Sequence, residues 1–184
     1  MQSVVWTSAV AALFSVAAAS SAGEKNAQGS EAQAKLTDAQ ILEVANTANT
    51  GEVTQGTVAE TRASSDAVKS FAKHMVTDHG ASKRQGESVA KQLGVTPAPS
   101  PVANTLKKDA DKVTTELHKA DSAAFDKVYM RAQVNEHQKV LRIIDQELMP
   151  QANAEQVKAL LGDMKAHVQQ HLSEAESTLQ QLSK

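Results

Sequence analysis

At 184 residues the chain has the length of one ordinary domain. It is 41% apolar but only 3% aromatic, a mixture that suits closely packed helices better than sheets, whose strands favour aromatic and β-branched residues. Nineteen Lys and Arg against 21 Asp and Glu leave a formal charge of -2, with no basic block to mark a nucleic-acid partner. The absence of cysteine excludes disulfides, thiolate catalysis, Fe-S clusters and lipid attachment through an N-terminal Cys. Any metal would be held by nitrogen and oxygen.

The first 22 residues carry no charged side chain, and the apolar run from Val4 to Ala19 ends in Ser20-Ser21-Ala22, a small-x-small pattern. Residues 1–22 therefore read as a secretory signal, although no Lys or Arg precedes the run. The run is shorter than the ~20 apolar residues of a spanning helix. The expected location is exported, periplasmic or envelope-associated. Residues 23–36 are polar and aperiodic, as expected of a flexible tether, and a helical bundle is expected over 37–183.

Thr37-Asp38-Ala39-Gln40 is a capping pattern that starts the first helix. Its apolar seam runs Ile41, Ala45, Ala48, then reaches Glu52 in a buried slot before Gly56 and Ala59. Ser64-Ser65-Asp66 caps the second helix, expected from Asp66 to Leu93 with Gly94 as its stop. Here the seam Val68, Ala72, Met75 lands on His79, where the pattern wants Leu. At ~1.5 Å per residue, Glu52 and His79 lie within about 5 Å in height on antiparallel neighbours.

Thr96 to Pro101 contains three alternating prolines, a semi-stiff connector suited to a bundle crossover. A shorter helix is expected over Asn104–His118, and a long one over Ala123–Leu148. On the latter, Glu136 lies near the centre of the apolar arc and His137 on its flank. The last helix runs to about Leu182 along Val157, Leu161, Met164, Val168, His171, Ala175 and Leu179, with His167 one turn before His171. The fold class is all-α: a four-helix bundle with a Pro-containing crossover and a short extra helix.

Each long helix thus places a candidate ligand inward near mid-length: Glu52, His79, Glu136 or His137, and His171 with His167. Imidazole and carboxylate suit zinc, copper or iron, and bundles build metal sites from facing helices. The competing assignment is a metal-free polar network, with Glu52 paired to His79 and Glu136 holding His171. On this reading His74 and Asp78 are a surface pair and Tyr129 is a core residue with a tethered hydroxyl. No nucleophile-base pairing or phosphate-binding loop appears, so neither hydrolysis nor a nucleotide partner is expected.

Met75-Val76-x-Asp78-His79, Phe125-Asp126-x-x-Tyr129 followed by His137, and His171 four residues before Ala175 resemble the bacterial domain of unknown function 4142. The resemblance covers about Leu36 to Leu182. It implies an exported, ferritin-like four-helix bundle and marks Asp78, His79, Phe125, Asp126, Tyr129, His137 and His171, with Glu52 as a looser match. Working di-iron proteins of that architecture carry Glu-x-x-His on two helices. Val76 and Val168 stand where those glutamates would precede His79 and His171, leaving too few carboxylates for a bridged di-iron centre. The functions then expected are a metal-binding bundle, or a metal-free envelope module for structure, stress or an envelope protein partner, with a metal-dependent oxidase as a third reading that the carboxylate count disfavours.

Overall fold

The computed structural model describes residues 35–184. The secretory segment expected at 1–22 lies outside them, as does the expected tether up to its last two residues. Of those two, Lys35 bonds to Asn153, and the Leu36 N–H donates to Gln151 Oε1 at 2.6 Å. The described residues form α1 (Asp38–Arg62), α2 (Asp66–Leu93), α3 (Pro101–Lys119), α4 (Ser122–Ile143) and α5 (Glu155–Gln181). A π-helical segment, Ile144–Leu148, prolongs α4. No helix among the described residues is long and apolar enough to cross a membrane.

Local chemistry accounts for the helix ends. Thr37 and Gln40 form the expected capping box, each side chain accepting from the other's backbone N–H. Gly94 stops α2 with φ 64, a left-handed conformation that a Cβ would strain. The third helix begins three residues earlier than its apolar pattern suggested. Pro101 occupies its first turn, where a missing N–H costs nothing, and Ser100 accepts from Ala103 N–H at 3.1 Å.

The starts of α2 and α5 lack a side-chain cap of their own. Both are served from elsewhere in the bundle. Asp126 of α4 accepts from the N–H groups of Ser64 and Ser65 at 3.0 and 2.8 Å. Asp38 of α1 accepts from Asn153 and Ala154 at 2.8 and 3.0 Å.

These contacts also fix the topology. Ala98 N–H reaches Ala39 O at the start of α1, while Arg62 at its end bonds the carbonyls of Leu117 and Ala120. Hence α3 runs parallel to α1 and carries the chain back between two hairpins, α1–α2 and α4–α5. Close approach is built into α1. A Cβ on Gly51 would sit 2.8 Å from Ala110 Cβ of α3, and one on Gly56 would sit 2.9 Å from Val76 Cγ2 and 3.1 Å from Ala72 O of α2.

The core divides in two along the bundle axis. One apolar cluster gathers Ile41, Leu42, Ile144, Leu148, Val157 and Leu161 near the α4–α5 turn. The other gathers Phe71, Met75, Leu117, Phe125, Tyr129 and Met130 near the α1–α2 turn. Each large side chain so buried contributes about 1.5–3 kcal/mol. At mid-length the interior is polar instead: Asn49, Glu52, Gln55, His79, Gln133, His137 and His171 are all buried. Burying such groups is costly unless each finds a partner.

Candidate metal centre

Three of the buried groups converge. His79 of α2, His137 of α4 and His171 of α5 each bring one ligand nitrogen within 4.8 Å of the other two. Their ring centroids lie 5.1 to 5.7 Å apart. The same heptad logic that fills neighbouring slots with Met75, Val140 and Val168 aims these rings inward from their helices.

Every ring is anchored through one nitrogen. His79 Nδ1–H donates to Asn49 Oδ1 at 2.8 Å, and His137 Nδ1–H donates to the Gln133 carbonyl at 2.9 Å. His171 Nε2–H donates to Asp78 Oδ2 at 3.0 Å. Because each partner is an acceptor, the proton resides on the anchored nitrogen and the lone pair on the other. Those other atoms, His79 Nε2, His137 Nε2 and His171 Nδ1, are buried without a hydrogen-bond partner. Three unsatisfied lone pairs on rings this close together constitute a candidate donor set for a cation. The anchors are those of a metal site's outer layer, which holds ligand rings in one tautomer and orientation.

Electrostatics keep the rings neutral, as ligation requires. Burial pushes His137 down to about 4, against the pull of its bond to Gln133. His79 lies well below its ordinary value because of burial first and the neighbouring rings second. Burial also lowers His171, opposed by Asp78.

Glu52 lies beside the triad, with Oε1 3.9 Å from His137 Nδ1 and Oε2 unpartnered. A cavity of about 10 Å³ touches Glu52, His79 and His137, space on the order of one water. Beyond it a polar chain crosses from α4 to α1 and back: Gln133 Nε2–H donates to Gln55 Oε1, and Gln55 Nε2–H donates to Glu136 Oε1, both at 3.0 Å. Burial pushes the carboxyl groups of Glu52 and Glu136 up, with Glu52 adding to the shift at Glu136.

The six sequence candidates therefore separate. His79, His137 and His171 meet; Glu52 borders their cavity; Glu136 is half-buried and turned toward Gln55 and α3. His167 is exposed, stacked on His171 at 6.4 Å between centroids. The partners of these groups differ from the expected pairs. His79 is held by Asn49 rather than Glu52, and His171 by Asp78 rather than Glu136, because each helix face presents the nearer acceptor. His74 pairs with Glu174 across the α2–α5 seam at 3.3 Å instead of with Asp78. The Tyr129 hydroxyl is buried with no partner among the described residues. Asn49 went unnoticed in the sequence, since an Asn one residue from a seam Ala reads as boundary polarity.

Fold and site define an all-α helical bundle with a buried tri-histidine cluster capable of coordinating a metal ion. The chain belongs to the family described as Domain of unknown function (DUF4142), whose family model matches residues 11–178. No curated protein and no solved structure matches it.

Proposed function

We propose that this protein is an exported metal-binding bundle in which His79, His137 and His171 hold one divalent ion. One observation carries the reading: three buried imidazoles, each with a ligand nitrogen within 4.8 Å of the others, keep one nitrogen unpartnered while the opposite nitrogen of every ring is anchored to an oxygen. Tetrahedral coordination at ~2.0–2.1 Å sets ligand nitrogens about 3.3 Å apart, so binding draws the rings together. An all-imidazole set with one open position suits zinc or copper, and iron less well. With room for one water-sized ligand beside the rings, the reading is of holding an ion rather than turning over a substrate.

Export rests on the uncharged apolar stretch before residue 22 and its small-residue end. A ferritin-like origin is supported by the two hairpins joined through one long crossover, an arrangement shared by such bundles. A metal-free module for envelope structure or partner binding is the second reading, favoured by the Gln133-Gln55-Glu136 chain, in which both polar ends of the Gln55 amide are paired without an ion.

Elemental analysis of protein from a native-like host decides between them. The metal reading expects about one zinc or copper per chain, lost in His79→Ala and His171→Ala, and a raised melting temperature when the ion is added back. Wild-type protein without stoichiometric metal, and with melting unmoved by either ion, would leave the metal-free module.

A further inference from the structure

A buried site needs a route by which an ion reaches it, and the cavities of the bundle outline one. Next to the space bordered by His79 and His137 lies a second cleft, with about 30 Å³ of free volume, between α1, α3 and α4. The two share three lining residues, Ala48, Glu52 and Val140. Glu52 therefore stands at the junction, only 6% exposed and with Oε2 unpartnered.

The outer cleft grades from solvent inward in carboxylates. At its mouth Asp109 of α3 and Lys139 of α4 form an ion pair, with side chains 45% and 35% exposed. Glu136 comes next, half-buried, with Oε1 held by Gln55 and Oε2 unpartnered. Glu52 follows, and the ligand rings lie immediately beyond. The opposite face, along α2 and α5, is oriented differently. There His171 turns its N–H outward to Asp78 and keeps its lone pair inside.

We propose that the cleft beneath α3 is the inlet for the cation, with Asp109, Glu136 and Glu52 as successive transit oxygens and the Lys139–Asp109 pair as its closure. The proposal rests on the tri-histidine reading. Carboxyl oxygens offer a divalent ion a ligand at each step, but too few converge at any one point to retain it, whereas three imidazoles do. A hydrated ion sheds water gradually against these oxygens. The Lys139 ammonium repels an arriving cation and must swing aside.

Stopped-flow mixing with cobalt(II), followed through its ligand-field absorption, tests the route, with affinity measured separately by chelator competition. Glu136→Gln should slow association about tenfold while leaving affinity within about twofold, since an obstructed conduit delays arrival and departure alike. Lys139→Met should speed association a few-fold. Variants moving in opposite directions cannot both be explained by damaged folding. His74→Ala, on the far face where α2 meets α5, should match wild type. The inlet is overturned if both cleft variants associate at the wild-type rate, or if His74→Ala is the slow one. A wild-type protein that develops no cobalt absorption at all would overturn the tri-histidine site itself, and the inlet with it.

Discussion

Asp78 shows how much of the centre depends on residues that never touch the ion. Its carboxylate accepts from His171 Nε2–H, fixing the ring so that the buried Nδ1 keeps its lone pair free. Asp78→Ala frees that rotation and leaves the proton on either nitrogen. Loss of such an outer partner lowers metal affinity about 10- to 100-fold, and competition titration against a chromophoric chelator should return that loss with little change in helical content. At this scale the sequence revealed His79 and His171 because each interrupts an apolar seam where only an inward residue fits. His137, on the flank of its arc, was one of two adjacent candidates. Which acceptor each ring selects was not legible. Asn49 and Asp78 win over Glu52 and Glu136 by side-chain reach and rotamer, and periodicity specifies neither.

Along α1, small residues set how closely the neighbouring helices approach. A methyl group at position 56 would meet Val76 Cγ2 at 2.9 Å, Ala72 O at 3.1 Å and Met75 Cβ at 3.3 Å. The side-chain atom can turn aside, but the backbone oxygen can retreat only if α2 moves. Gly56→Ala gains up to about 1 kcal/mol in helix propensity and loses about 1–3 kcal/mol to overpacking. The expected result is net destabilisation, read as a lower urea midpoint with an unchanged slope. Element boundaries were mostly legible, since capping residues and glycine stops are local chemistry. The π-helical segment was not. Its Met149 N–H to Ile144 O bond, at 2.9 Å, widens the last turn. Ile143, Ile144 and Leu148 are all buried there, which a regular 3.6-residue period would not announce.

For the whole molecule, the mid-length polar layer makes stability depend on pH in two opposed ways. The three histidines titrate lower in the fold than the ordinary 6.5. The unfolded chain therefore takes up protons first as pH falls below that value, and their stabilising contribution is lost on the acid side. Glu52 and Glu136 titrate higher in the fold than the ordinary 4.5. Their contribution is complete below the unfolded value and is lost as pH rises through neutrality. In metal-free protein the two contributions oppose each other between pH 6.5 and 4.5, and with three histidines against two carboxyls the melting temperature should fall as pH falls, more steeply in Glu52→Gln than in wild type. Glu52→Gln should raise the melting temperature at pH 8 by several degrees, for roughly 1–2 kcal/mol, and change it little at pH 5. Calorimetry of both proteins across that range checks the sign at each end. The all-α bundle was legible at this scale because long helical periods and short turns leave few alternatives. The division of labour within the centre was not. An expected quartet with one ligand per long helix became three rings from α2, α4 and α5, with α1 supplying Asn49 and Glu52 around them.

The carboxylates that hold the entries to α2 and α5 tie each hairpin to the other. Asp126, in the second hairpin, completes the start of α2 in the first; Asp38, in the first, completes the start of α5 in the second. Each such bond is worth about 0.5–1.5 kcal/mol, and neither hairpin supplies the carboxylate for its own. An isolated hairpin would thus leave the two residues that lead into its second helix without the carboxylate that holds their N–H groups. The two halves mature together, so local opening at one turn propagates to the far end of the other pair, and the bundle behaves as one cooperative unit rather than two independent ones.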